Sequence, residues 1–572
     1  MVGPFPELAR SRRRRREPPA ALVVGLVVLS CLYLVAAACT GTKKPKPVPI
    51  TRRGGAIVLG SDQWPPCLNP VTQCALSPST FWLADQYVLP KLLYLDPNGK
   101  PQPSALITEA ATEANGGIKA APFTLTFHLN PRAVWDDNSP ITSADVAFTW
   151  QAYLKAKVVA SGYDQIDSVD ASDPHTAVIR FKVPFADWPD LFGGSQGHVL
   201  KKAAFPDGPD VASEMQTSLP FSGMPWKLQT FSKDQAVLVP NTNYWVPADI
   251  PMLDKVTFVA GTGQDTEINS LMAGDLAGIY PQASPGLAAR LSVANVKYRI
   301  GGGASFEGIW PNLSKPPLDD PKVRQALFMS IDRNEILNTF IKPDVPDATV
   351  LNCGGWVPTL GEWCDNAQFA DIKYDPAGAK TILQADGWAL GPDGVFAKGG
   401  QRLDLELNTV AGNSRREGLE QVIMRQAAKA GFAFHPKNYS RPELTEDVLP
   451  HGRFGIAIYS QAARSDPSVT SLFSCDQIPS VANQFTGTNY SHWCDAAVSG
   501  LMKRSDQEVS PVRHVVLIHQ VGRAIRDGYV WLPFYQLPVI AAYRTDKVAG
   551  PVEDFTLSSY TNFWNINKWH LP

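Results

Sequence analysis

The stretch from Phe306 to Ile336 constrains the fold most. Phe306, Gly308 and Trp310 against Glu307 and Pro311 make a short strand-like run, which Lys315-Pro316-Pro317 breaks. Asp319-Asp320-Pro321 then reads as a helix start, with an Asp N-cap and Pro at the first helical position. Val323, Leu327 and Ser330/Ile331 recur at i, i+4 and i+7/i+8, so one apolar face is expected to pack on a sheet. Lys322, Arg324 and Arg333 are expected to stay in water.

A chain of 572 residues is too long for one core, and length alone points to roughly two to four domains. The N-terminus is set aside first. Arg10 and Arg12 to Arg16 form a basic flank before the apolar stretch Ala20 to Ala38, so residues 1–38 read as an export signal peptide. Removing its six arginines and two glutamates leaves 46 basic and 52 acidic side chains, a net charge of −6, which argues against nucleic acid as a partner. Ala36-Ala37-Ala38-Cys39 resembles a lipobox with Cys39 as the lipidated residue, although Ala36 stands where Leu or Val is usual. Cys31 is a weaker rival, and a retained transmembrane anchor of roughly 19 residues is the alternative. Residues 39–51 are then a Pro/Lys tether.

Six cysteines remain, Cys67, Cys74, Cys353, Cys364, Cys475 and Cys494, and in an exported chain they are expected in disulfides. Neighbours in sequence would give 67/74, 353/364 and 475/494, although spacing alone leaves the connectivity open. Zinc fits poorly, because there is no CxxC and no histidine at ligand distance. Gly193-Gly194-Ser195-Gln196-Gly197, with His198 beside it, matches GxSxG. A nucleophile elbow needs a strand directly before the serine, whereas the preceding segment is broken by Pro and Asp, so the run reads as a loop. Gly261-Thr262-Gly263 and Gly301-Gly302-Gly303 lack the setting of a dinucleotide site, and His514 and His519 lie off the spacing of a helical metal pair. His128, flanked by Phe127 and Leu129 on a half-buried strand, reads as structural. No catalytic residue, metal site or cofactor is expected.

Several segments together carry a resemblance. The run NLSKPPLDDPKVRQAL with IDR after it, FTLTFHLNPRAVWDDNSPITSADVAFTW from Phe123 to Trp150, and the re-entry Ser222-Gly223-Met224-Pro225-Trp226 resemble segments of the family 5 extracytoplasmic solute-binding proteins. So do Tyr374-Asp375-Pro376 opening a helix to Gly387-Trp388, and SC…NYSHWC around Cys475 and Cys494. These are the dipeptide and oligopeptide binders of ABC importers.

The resemblance implies an α/β fold of two hinge-linked lobes around a ligand cleft, the periplasmic-binding-protein class with an extra subdomain in the first lobe. Lobe I would comprise 52–93, 219–303 and 533–572, with the extra subdomain at 94–218, and lobe II would be 304–532. It also implies a monomer, tied to the cell envelope by its lipid, that delivers a peptide or another polar ligand to an ABC permease. An envelope lipoprotein of the same fold, regulating or carrying lipid or glycolipid for cell-wall assembly, is the alternative.

In peptide binders of this class the strand matching Gly455 to Tyr459 leads to a Trp that packs the peptide and an Asp that pairs with its α-amine. Those positions fall here on Ser460 and Ala463. A buried ammonium without a counter-charge is costly, so the missing carboxylate argues against free peptide N-termini. Asp466 could compensate or could serve its Asp-Pro turn, and Arg464 favours an anionic or polyhydroxylated ligand. Trp64, on the loop after the first strand, Gln461, and Arg415 with Arg416 after Asn408 complete the expected cleft wall. For Trp64 the alternative is a packed side chain beneath a disulfide loop, and for the arginines a solvated pair.

Overall fold

The structure, a computed structural model, describes residues 53–572 apart from 62, 77, 97–99, 157–161, 195–196, 262, 463–467 and 554–562. The export segment, Cys31, Cys39, Ser195, Ala463, Arg464 and Asp466 therefore lie outside the described residues. Among those described, ten strands build one mixed sheet. They are β1 (Ala56–Ser61), β2 (Trp226–Phe231), β3 (Gln235–Pro240), β4 (Lys255–Ala260), β5 (Gly278–Ile279), β6 (Val296–Pro311), β7 (Asp404–Asn408), β8 (Ala433–Pro436), β9 (Ile456–Ala462) and β10 (Leu532–Arg544). Their order across the sheet is β8-β7-β9-β6-β10-β5-β1-β4-β3-β2.

The long antiparallel strands β6 and β10 lie in the middle of this order and run through two different cores. Val296 to Gly302 pairs with Pro538 to Arg544, and after a register shift Phe306 to Ile309 pairs with Leu532 to Gln536. On one side of the shift the core is built from β1, β4 and their neighbours, with a smaller cluster of Ile268, Leu271, Ile279, Leu287 and Leu291 beside it. On the other side Phe306, Ile309 and Trp310 open a second core that continues to Tyr535. A separate four-stranded antiparallel sheet, Ile118–Ala120, Phe123–His128, Ile166–Asp173 and Thr176–Phe181, packs with the helix Ser143–Ala156 and adds its apolar face to the first core. The register shift accounts for Gly303, since a Cβ there would lie 2.7 Å from the Leu537 carbonyl.

The stretch that ordered the sequence folds as expected at its start. Asp320 caps the helix Pro321–Met329 by accepting the Lys322 N–H at 2.8 Å, and Val323, Ala326 and Leu327 are buried. The expectation of two wet arginines is corrected. Arg324 and Arg333 are only 6% and 7% exposed. The reason is a supply of stranded carbonyls at chain ends and turns, which a five-donor guanidinium can satisfy at once. Arg324 Nη1 donates to Leu318 and Asp319 O at 2.8 and 3.0 Å, and Nη2 to Gly528 O at 2.8 Å, at the end of the helix Pro511–Asp527. Arg333, on a second helix, Arg333–Phe340, holds the carbonyls of Leu351, Pro533, Phe369 and Ile372. Arg324→Met, which keeps the apolar stem and strands these carbonyls, is expected to cost about 2 kcal/mol, read from urea denaturation.

Further features are local. The helix Ser414–Ala428 starts after Asn413, which caps it by accepting the Arg416 N–H at 3.1 Å. The helix Gln264–Ala273 stops where Gly274 turns left-handed and releases the chain into β5. The Gly193 run follows a helix, Trp188–Gly193, not a strand, so the geometry of a nucleophile elbow does not arise before Ser195. His128 is exposed, with Thr176 Oγ1 at 3.4 Å from Nδ1. Disulfides join Cys67 to Cys74, Cys353 to Cys364 and Cys475 to Cys494. Among the described residues no helix is long and apolar enough to cross a membrane.

Candidate functional site

Strand direction locates the site. β5 runs antiparallel to β10 and ends at Ile279 opposite Ala542, so it points toward the register shift, and β1 is parallel to it. From the other side β9 runs antiparallel to β6 and ends at Ala462 opposite Ser305, with β7 parallel to β9. The carboxyl ends of strands from both halves thus face the same crossing, where open α/β sheets place ligands.

Glu307 sits at this crossing. It is fully buried on β6, opposite Ser460 on β9 and Tyr535 on β10. Its carboxylate takes Arg415 through both terminal guanidinium nitrogens, Nη1 and Nη2, Arg416 Nε at 2.8 Å and the Tyr535 hydroxyl at 2.8 Å. Arg415 Nη1 also donates to Tyr535 Oη at 2.6 Å. Burial alone would raise the Glu307 carboxyl, but the two guanidinium groups outweigh it and hold it down at about 2. Burial works against the Arg415 charge too, and Glu307 overrides it, so that the Arg415 value lies above that of a free guanidinium. Burial lifts the Tyr535 phenol, which stays a neutral donor. One carboxylate faces two guanidinium groups, and among the described residues neither arginine pairs with another acid, so the cluster carries a net charge of +1.

Arg416 is the outward member. Its side chain is 11% exposed against 3% for Arg415, and Nη2 donates to Ser460 Oγ at 3.0 Å. Neutral polar side chains stand at or after the ends of β7, β5, β4 and β1. Asn413 Nδ2 reaches Gln282 Oε1, beyond β5 in the other half, at 3.4 Å. Gln264 Nε2 donates to Gln282 O and Ser284 Oγ at 3.0 and 2.9 Å. Tyr280 Oη donates to Ser61 Oγ at 2.9 Å at the end of β1. The halves also meet where the Ala288 N–H donates to Asp344 Oδ1 at 3.0 Å and the Ala186 N–H to Asp506 O at 2.7 Å. Among the described residues no cluster of His, Cys, Asp and Glu could hold a metal ion.

The structure therefore joins Arg415, Arg416 and Ser460 into one cluster, with the half-buried Gln461 next along β9 opposite Phe306. The arginines sit in the first turn of a helix and turn inward, so the solvated pair does not describe them. Trp64 stands apart. Its ring stacks on Phe231 with centroids 5.9 Å apart, and its N–H donates to Ser232 O at 2.9 Å, so one face and the polar edge are used within its own half. Sequence reasoning missed Glu307 and Tyr535. The signal was present for Glu307, because a lone acid inside an apolar strand must find a buried counter-charge.

The sequence profile of the bacterial extracellular solute-binding proteins, family 5 Middle, matches residues 111–478, more than half of the chain. The chain belongs to family 5 of the extracellular solute-binding proteins. Over 566 residues it is 22% identical to the oligopeptide-binding protein AppA of Bacillus subtilis, covering 96% of this chain and 98% of AppA. It is 29% identical over 252 residues to the probable monoacyl phosphatidylinositol tetramannoside-binding protein LpqW of Mycobacterium tuberculosis, covering 40% of this chain and 38% of LpqW. Among solved structures the periplasmic EDTA-binding protein EppA superposes with a TM-score of 0.80 at 18% identity, over 93% of this chain and 99% of that one. The two-lobed α/β fold expected from the sequence is the fold of this family. Each of these relatives is named for a solute it binds, and none as an enzyme.

Proposed function

We propose that this family 5 protein is the lipid-anchored receptor of an ABC importer, held to the cell envelope through Cys39, and that it closes as a monomer around an acidic or polyhydroxylated solute. Lobe I, with residues 52–93, 219–303 and 533–572 and its subdomain 94–218, and lobe II, with 304–532, would trap the solute at the crossing of β6 and β10. The observation that carries this reading is the surplus positive charge of the Glu307–Arg415–Arg416 cluster, whose outward guanidinium also donates to the Ser460 hydroxyl. Such a lining hydrogen-bonds carboxylate, phosphate or sugar hydroxyls and repels an ammonium group. Gln461, and Ala463, Arg464 and Asp466 just beyond β9, would complete the wall, with Trp64 at its far edge. LpqW, whose name specifies a phosphorylated mannoside, favours a second reading, a carrier or regulator in envelope glycolipid assembly that works without a permease.

Native mass spectrometry of the purified chain tests the ligand class. A bound molecule with an acidic group or several hydroxyls is expected, with occupancy at least tenfold lower in Arg416→Gln. A co-purified free peptide retained equally by Arg416→Gln would sink the proposal. A mannosylated phospholipid in that position would select the second reading.

A further inference from the structure

Among the described residues, β6 and β10 are the two strands that carry the sheet through the crossing, and their ladder is interrupted there. Gly302 pairs with Pro538 and Phe306 with Gln536, so three residues on β6 stand opposite one on β10. A bulge of this kind removes backbone hydrogen bonds and lets the strands bend. Side chains occupy the gap instead. Gln536 Nε2 donates to Gly303 O within the bulge and to Thr359 Oγ1 at 2.7 Å. Thr359 also presses its methyl on the bulge, since a Cβ on Gly302 would lie 2.9 Å from Thr359 Cγ2.

Thr359 does not belong to the sheet. It lies in the loop closed by Cys353–Cys364, on a short helical segment, Pro358–Trp363. This loop is rooted in the second core, where Cys353, Trp356 and Val357 are buried and Leu360 and Trp363 pack against them. Further ties fix its tip to the helix Pro511–Asp527. Glu362 O meets His519 Nε2 at 2.9 Å, and Trp363 sits edge-on to His514 with ring centroids 5.2 Å apart. Thr359 is thus a fixed point of one half held against the flexible part of the connection to the other.

We propose that Thr359 and Gln536 form a clasp on the crossing that sets the angle between the two lobes, with the Cys353–Cys364 loop as its rigid mount. They are positioning residues, acting on ligand capture through the lobe angle and not through contact with the solute. The idea rests on the two-lobed reading above. With the clasp intact, the bulge is held in one bend, and contacts such as Asn413 with Gln282 and Asp344 with Ala288 stay in register. Without it, the bulge samples several bends and those contacts open.

Single-molecule energy transfer tests this on the full chain in detergent, with dyes on cysteines introduced at the exposed positions Glu113 and Lys429, one in each half. Thr359→Val removes the hydroxyl acceptor and keeps the shape, and Gln536→Leu removes the donor. Each is expected to raise the low-transfer, open population at least fivefold over the parent. Thr339→Val, which deletes a hydroxyl bonded only within its own helix, to Glu335 O, is expected to leave the distribution unchanged. If both clasp variants match the parent while the parent itself visits open and closed states, the clasp is wrong and the two-lobed reading stands. If the parent shows one fixed distance whether or not its co-purified solute has been removed by unfolding and refolding, both fall. An equal change in Thr339→Val would reduce the effect to general loosening and overturn the clasp.

Discussion

Glu307→Gln is expected to lower the unfolding free energy at pH 7 by about 4 kcal/mol, measured by urea or thermal denaturation. The substitution keeps the shape of the side chain and leaves Arg415 and Arg416 facing each other with no counter-charge, Arg415 at 3% exposure. Removing both members of the inner pair, as in Glu307→Leu with Arg415→Met, should recover part of the loss, because the cost lies chiefly in the orphaned charge. The effect also depends on pH in a definite direction. The Glu307 carboxyl is held at about 2 in the folded chain against an ordinary 4.5. Its contribution is therefore fully present above about pH 4.5 and is lost as the pH falls toward 2, over a range worth on the order of 3 kcal/mol. The stability gap between the parent and Glu307→Gln should narrow through that window. A gap that is constant from pH 7 to pH 2 would mean that the carboxylate is not what neutralises the arginines.

The features legible in the sequence were those written in short spans. Asp320 before Pro321 announced a capped helix because the cap and the N–H it accepts lie two residues apart, and the alternating strands showed in the same way. The family could be recognised because such local units recur in order along the chain. The cluster at the crossing was not legible, since it joins Glu307 to Arg415 across 108 residues and to Tyr535 across 228. Charge pattern alone assigned Arg324 and Arg333 to water, because a side-chain periodicity carries no record of which distant carbonyls lack donors. Arg324 answers a helix end 204 residues away. Trp64 shows the converse limit. Its loop was placed correctly at the end of β1, but the partner that occupies its ring, Phe231, is supplied by a hairpin later in the chain.

Ala463→Asp is the substitution expected to change ligand choice most. β9 delivers Ser460 against Arg416 and Gln461 opposite Phe306, and residue 463 follows directly on its last residue, Ala462. The resemblance to the peptide binders implies that a carboxylate at this position would meet the α-amine of a peptide. Here the position supplies a methyl group, and the cluster that takes in Ser460 on the same strand carries a charge of +1. An ammonium brought to that wall loses its water and meets like charge, so short free peptides are expected to bind the parent weakly or not at all. In Ala463→Asp the new carboxylate should improve binding of a free-amine peptide over its N-acetylated form by about 1 to 3 kcal/mol, the worth of a charge-assisted hydrogen bond. Calorimetry with both peptides on both proteins separates this gain from any general change in the cleft, because the acetylated form reports everything except the amine. Tight, amine-dependent peptide binding by the parent would contradict the argument. It would place a working carboxylate elsewhere in the wall, and Asp466→Asn would then be expected to abolish the preference for the free amine.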